Sequence, residues 1–93
     1  MDDGAAQHDV ARLQRRIWAE VSETFEARRA DSGLTQAELG RRVGLQRERV
    51  HYWLSRPERM TLKAAARLLA GMDAELQVRA TPLPLRRAET RAC

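Results

Sequence analysis

Apolar residues recur at steps of three and four through the first third of the chain, at Val10, Leu13, Ile17, Val21 and Phe25. That spacing predicts a helix from about His8 to Ala30 with one apolar face, which Trp18 widens. Its first turns run longer than a compact helical domain needs, so the surplus is available to a partner. Asp31, Ser32 and Gly33 stop it, with Gly33 able to take the left-handed conformation of a helix end. Thr35-Gln36-Ala37-Glu38 then forms a capping-box sequence. In it the Thr35 hydroxyl accepts from the Glu38 N–H and the Glu38 carboxylate reaches back to the Thr35 amide. A second helix runs only to Val43, because Gly44 permits positive φ and Leu45 packs just beyond it. A third covers about Arg47 to Leu54 and ends near Ser55, since Pro57 disfavours helical geometry at Arg56. Thr61 caps a fourth, Leu62 to about Ala70, with Leu62, Ala65, Ala66, Leu68 and Leu69 on its buried side and Gly71 as its close.

After Gly71 the period changes to two: Leu76, Val78 and Ala80 alternate with Gln77, Arg79 and Thr81 until Pro82 and Pro84 break the run. This predicts one strand, Glu75 to Thr81, in a chain with no other strand pattern. Its backbone groups therefore need a ladder partner from outside the monomer, and the same strand of a second copy is the cheapest one. The expected organisation is a helical domain over 8–73, a dimerising strand at 74–81 and a flexible tail at 82–93. The expected fold class is all-α: a compact four- to five-helix domain with a short C-terminal β-strand that pairs across a dimer.

Composition narrows the partner. With 93 residues, the chain makes one domain with a modest core. Lys plus Arg number 17 against 13 Asp plus Glu, a net +4. Six arginines (41, 42, 47, 49, 56, 59) and two glutamates (48, 58) lie between Gly40 and Arg59, so this window holds the whole excess. A concentrated basic patch points to a polyanion. The one cysteine, Cys93, allows no intrachain disulfide or cysteine metal cluster, and fits a reducing cytoplasm. The start, MDDG, lacks a signal-peptide pattern, and no apolar run approaches a membrane helix. A cytoplasmic, nucleoid-associated protein without cofactor or metal is expected. His8 and His51 have no carboxylate cluster to complete a metal site. No nucleophile with a nearby base and no Gly-rich phosphate loop is legible, so an enzyme is not expected.

Between Gln36 and Ser55 the small or apolar residues are Leu39, Gly40, Gly44, Leu45, Val50 and Trp53. They suit the inside of a wedge of two short helices, with Gly40 allowing close approach and Gly44 making the turn. Outside, on the second of the pair, stand Gln46, Arg47, Glu48, Arg49, His51 and Tyr52, nearly all long hydrogen-bonding side chains. The stretch GLTQAELGRRVGLQRERVHYW closely resembles the XRE or Cro-like helix-turn-helix family of bacterial and phage regulators. The resemblance rests on Thr35-Gln36, Leu39, Gly40, Gly44, Val50, Trp53 and the Thr61-Leu62 start, and covers about Val21 to Met72; it implies a Cro/repressor-like helix-turn-helix DNA-binding domain over 8–73 with its helix-turn-helix unit at 36–55. Two departures are Gln46, where the family usually has a Ser or Thr cap, and Pro57 in the following loop. The Arg-Pro-Glu-Arg loop, the Thr-Leu start and the strand-like ELQVRAT further resemble antitoxins of the HipB kind. That resemblance implies a dimer that represses its own operon and binds a partner toxin.

Each exposed residue suits a particular contact. Arg47 fits guanine O6 and N7, and Gln46 fits adenine N6 and N7. Glu48 accepts from cytosine N4 or steadies Arg47. Tyr52 meets a thymine methyl or a phosphate, or packs against the first helix, and His51 meets a phosphate or base. Gln36 resembles the family residue that fixes a phosphate, at a helix start beside Thr35 where the dipole helps. Arg41, Arg42, Arg49, Arg56 and Arg59 are candidates for phosphate contacts, which position without reading sequence. Trp18 and Trp53 fit the core better than a base-stacking role. The expected function is a sequence-specific transcriptional repressor of a palindromic double-stranded operator, autoregulating as the antitoxin of a toxin–antitoxin pair. The alternatives are a stand-alone phage-type or chromosomal regulator, and a protein-interaction module that binds its partner without DNA.

Overall fold

A computed structural model describes residues 3–82, with side chains from residue 7. Four helices follow one another: α1 (Asp3–Ser32), α2 (Gln36–Val43), α3 (Arg47–Ser55) and α4 (Leu62–Gly71), with a 3-10 turn at Pro57–Arg59. The described part is all-helical. Residues 74–82 form no regular element within the single chain, and the segment expected as a flexible tail lies, from residue 83 on, outside the described residues.

The helix ends follow their local chemistry. Gly33 (φ 74°) closes α1 by donating its N–H to Arg29 O at 2.9 Å. Thr35 Oγ1 accepts from the Glu38 N–H at 3.1 Å, and Thr61 Oγ1 from the Ala64 N–H at 3.0 Å. Only half of the expected capping box forms, because the Glu38 carboxylate turns to Arg41 and Arg42 instead of to the Thr35 amide. Gly71 is the last residue of α4, as expected, but the left-handed residue beyond the helix is Asp73 (φ 57°), whose N–H bonds Ala70 O while that of Ala74 bonds Leu69 O. Aspartate is one of the few side chains that tolerate this geometry. Gly71 serves packing, since a Cβ there would lie 2.6 Å from Val43 Cγ1 and 2.8 Å from Leu39 Cδ1. It is the point where α4 presses on α2.

The core gathers Ile17, Val21 and Phe25 from α1 with Leu34, Leu39, Val50, Met60, Ala64, Ala65, Leu68, Leu69 and Met72. Trp18 packs at its edge and donates its indole N–H to Leu54 O at 2.9 Å, which ties α1 to α3. Gln14 donates to Met60 O at 2.8 Å, Arg28 to Met72 O at 3.0 Å and Arg67 to Val43 O at 2.7 Å, so long polar side chains hold the carbonyls of element ends. Four expected core positions differ. Leu62, at the first position of α4, is 67% exposed, and Ala66 is also exposed. Val10 and Leu13 continue the apolar stripe of α1 past the elements that cover it, and are 64% and 58% exposed.

Candidate nucleic-acid interface

The α2–α3 unit is set by two glycines. Gly44 (φ 73°) turns the chain, and Leu45 N–H bonds Gly40 O at 2.8 Å. Leu45 O lies so near Gly40 that a Cβ there would sit 2.6 Å from it and 3.5 Å from Val50 Cγ2. Only hydrogen fits at that crossing. Leu39 and Val50 are fully buried between the helices, while Leu45 and Trp53 pack half-buried against them.

With Val50 and Leu54 inward, the 100° step of an α-helix turns Glu48, Tyr52 and Ser55 outermost on α3. Arg47 and His51 flank them on one side and Arg49 on the other. Thr35, Gln36 and Arg47 border one shallow depression, while Gln36 and His51 share the next, so Gln36 bridges α2 to one flank of α3. Arg41, Gln46 and Arg49 line a third depression on the other flank. Gln46 occupies the N-cap position of α3 but makes no side-chain cap bond; its carbonyl accepts from Arg49 and Val50, and its amide group is exposed.

Several of these side chains are already oriented by neighbours. An Arg47 guanidinium nitrogen lies 3.6 Å from Glu48 Oε2. The Arg56 guanidinium lies over the Tyr52 ring at 4.9 Å, and that of Arg49 over Trp53 at 5.8 Å. Both pairs are spaced by four residues, the separation that brings side chains together on a helix, and the sequence carries that spacing. Glu38 pairs with both Arg41 and Arg42, and the Arg41 hydrogen bond and charge hold its carboxyl below the ordinary glutamate value. Arg42 also donates to Gly71 O at 3.0 Å, which turns it toward α4 and away from the face of α3. Arg59 stands exposed on the 3-10 turn. Among the described residues no group of three or more metal-ligating side chains occurs, and no helix is long and apolar enough to cross a membrane.

No protein-family model, curated protein or solved structure matches the chain.

Proposed function

We propose that the protein is a sequence-specific double-stranded DNA-binding repressor that acts as a homodimer. The observation that supports this most is the α2–α3 pair: two short helices locked by Gly40 and Gly44, with Gln46, Arg47, Glu48, His51 and Tyr52 all exposed on the second. A short helix of this kind fits the major groove, where Arg47 takes guanine and Gln46 adenine. Glu48 steadies the Arg47 fork. Arg41, Arg49, Arg56 and Arg59, with Thr35 and Gln36 at the start of α2, meet phosphates around it. Arg42 joins them only by giving up Gly71 O. Residues 75–81 pair antiparallel with their copy about a two-fold axis, which sets two reading helices about 34 Å apart, one turn of B-DNA. Autoregulation as an antitoxin with a cognate toxin is the specific form proposed, on the resemblance of the Arg56–Arg59 loop and the 75–81 segment to that group.

A mobility-shift assay on the DNA upstream of the protein's own reading frame tests this. With roughly 6 to 10 phosphates neutralised per dimer, affinity should fall about 10³- to 10⁵-fold between 50 and 200 mM salt, while preference over scrambled DNA persists. Absence of any preference at 150 mM salt would refute it.

A further inference from the structure

The arginines around α2 and α3 are held in two different ways. Arg41 and Arg42 pair with the Glu38 carboxylate, Arg42 also donates to Gly71 O, and an Arg47 nitrogen lies 3.6 Å from Glu48 Oε2. Arg49 and Arg56 instead lie over rings, at 5.8 Å from the Trp53 centroid and 4.9 Å from that of Tyr52. Trp53 packs against the core, which accounts for its ring. Tyr52 is exposed and outside the core, so packing does not account for its ring. The attraction of a cation to a ring is to the π face, so it occupies no carboxylate or carbonyl and leaves the guanidinium N–H fork for another acceptor. The backbone on both sides of the Tyr52–Arg56 contact is also fixed. Tyr52 lies in the last turn of α3, and Arg56 stands just past it at φ −133° and ψ 89°, held out of helical geometry by Pro57.

We infer that Tyr52 is a positioning residue, whose ring holds Arg56 ready for a DNA phosphate, and that it does not itself read a base. This deepens the DNA-binding reading above and rests on it. Arg47 opens α3 and Arg56 follows nine residues later. That separation is roughly 13 Å along a helix axis, close to the major groove's width of about 12 Å. With Arg47 at the base edges, Arg56 therefore comes to the rim of the groove, where the acceptors are phosphate oxygens. A free arginine gives up its rotamer freedom when it binds there. One already laid on Tyr52 has given up part of it beforehand, so the ring raises affinity without touching the duplex. A ring with one face under a guanidinium is, in turn, not free on that face to lie against a thymine methyl.

Salt titrations of the full chain on the DNA upstream of its own reading frame and on scrambled DNA test this, with circular dichroism to check that each variant keeps its helices. At 150 mM salt, Arg56→Ala should bind both duplexes about fivefold more weakly and lower the salt slope by about one. Tyr52→Leu should weaken both duplexes alike, by about two- to fivefold, and should cost nothing further in a chain that already carries Arg56→Ala. Tyr52→Phe keeps the ring and should bind as the wild type does. In NMR of the free protein, Tyr52→Leu should remove the ring-current shift of the Arg56 side chain. The assignment is overturned if Tyr52→Leu has no effect, or if its effect is confined to the preferred duplex and adds to that of Arg56→Ala. In either case a wild-type preference for that duplex leaves the repressor reading standing. A wild-type chain that binds both duplexes equally, or neither, overturns the two together.

Discussion

Arg47 and Arg41 carry the same charge a few residues apart, yet their surroundings give them different expected roles. Arg47 opens the exposed helix with Glu48 beside it, whereas Arg41 sits in the last turn of α2, paired with Glu38. Replacing Arg47 by alanine should cost about 1 to 3 kcal/mol on the preferred site and relax one base position. The Arg41→Ala change should weaken all sequences alike and lower the salt slope by about one. Competition titrations with single-base variants separate the two, and an unchanged ratio of specific to non-specific affinity in Arg47→Ala would remove it as a base reader. Glu38 offers a second measurement. Its carboxyl is held below the ordinary value of 4.5 by Arg41, then by Arg42, so its folded-state pKa is depressed. The contribution to stability is therefore present above the ordinary glutamate pKa and lost as pH falls through the depressed one. Carboxyl NMR should show Glu38 titrating below the ordinary glutamate value, and Arg41→Ala should move it back up.

Helix existence and helix ends were the most legible features, because Thr35, Thr61, Gly33 and Gly44 act through bonds to residues three to five positions away. What sequence reasoning missed depends on distant neighbours. Met60 and Met72 lie outside the helices, where no periodicity marks them, yet they are among the most buried side chains. Gly71 was legible as the end of α4, but that it is also a contact depends on the position of α2. Val10 and Leu13 follow the apolar period faithfully, but the period cannot tell where the covering elements stop. The exposed side chains of α3 were legible as a set; that Arg42 turns to Gly71 O was not, since it depends on where α4 ends. At this scale, Gly40→Ala is the decisive substitution. The added methyl meets a backbone oxygen, which no side-chain rotamer relieves, so the loss should be about 1 to 3 kcal/mol despite alanine's better helix propensity. Chemical denaturation measures it, and it should impair any function of α3 along with stability. Thr61→Ala should cost about 1 kcal/mol by removing the cap of α4 without touching the candidate interface.

The described part of the molecule spans 55 × 24 × 18 Å, long for its size because α1 extends past the core. Its excess of basic over acidic residues falls between Gly40 and Arg59, whereas the uncovered apolar side chains Leu13 and Val78 share an open groove between α1 and residues 76–81. In the proposed repressor the α2–α3 face would meet DNA and the 75–81 segment a second copy, which would make the two divisible by mutation. Val78→Pro, which breaks the proposed pairing of residues 75–81, should lose dimerisation and, with it, tight binding to a two-half-site operator, while a single half-site is bound as weakly as before. The most direct measurement is selection from a random duplex pool with the full-length protein at about 150 mM salt, followed by sequencing of the bound DNA. A dimeric reader predicts enrichment of a palindrome whose half-sites are about 10 base pairs apart, with one position relaxed in the Arg47→Ala variant. A pool that emerges with no enriched sequence, or that is not retained at all, would contradict it.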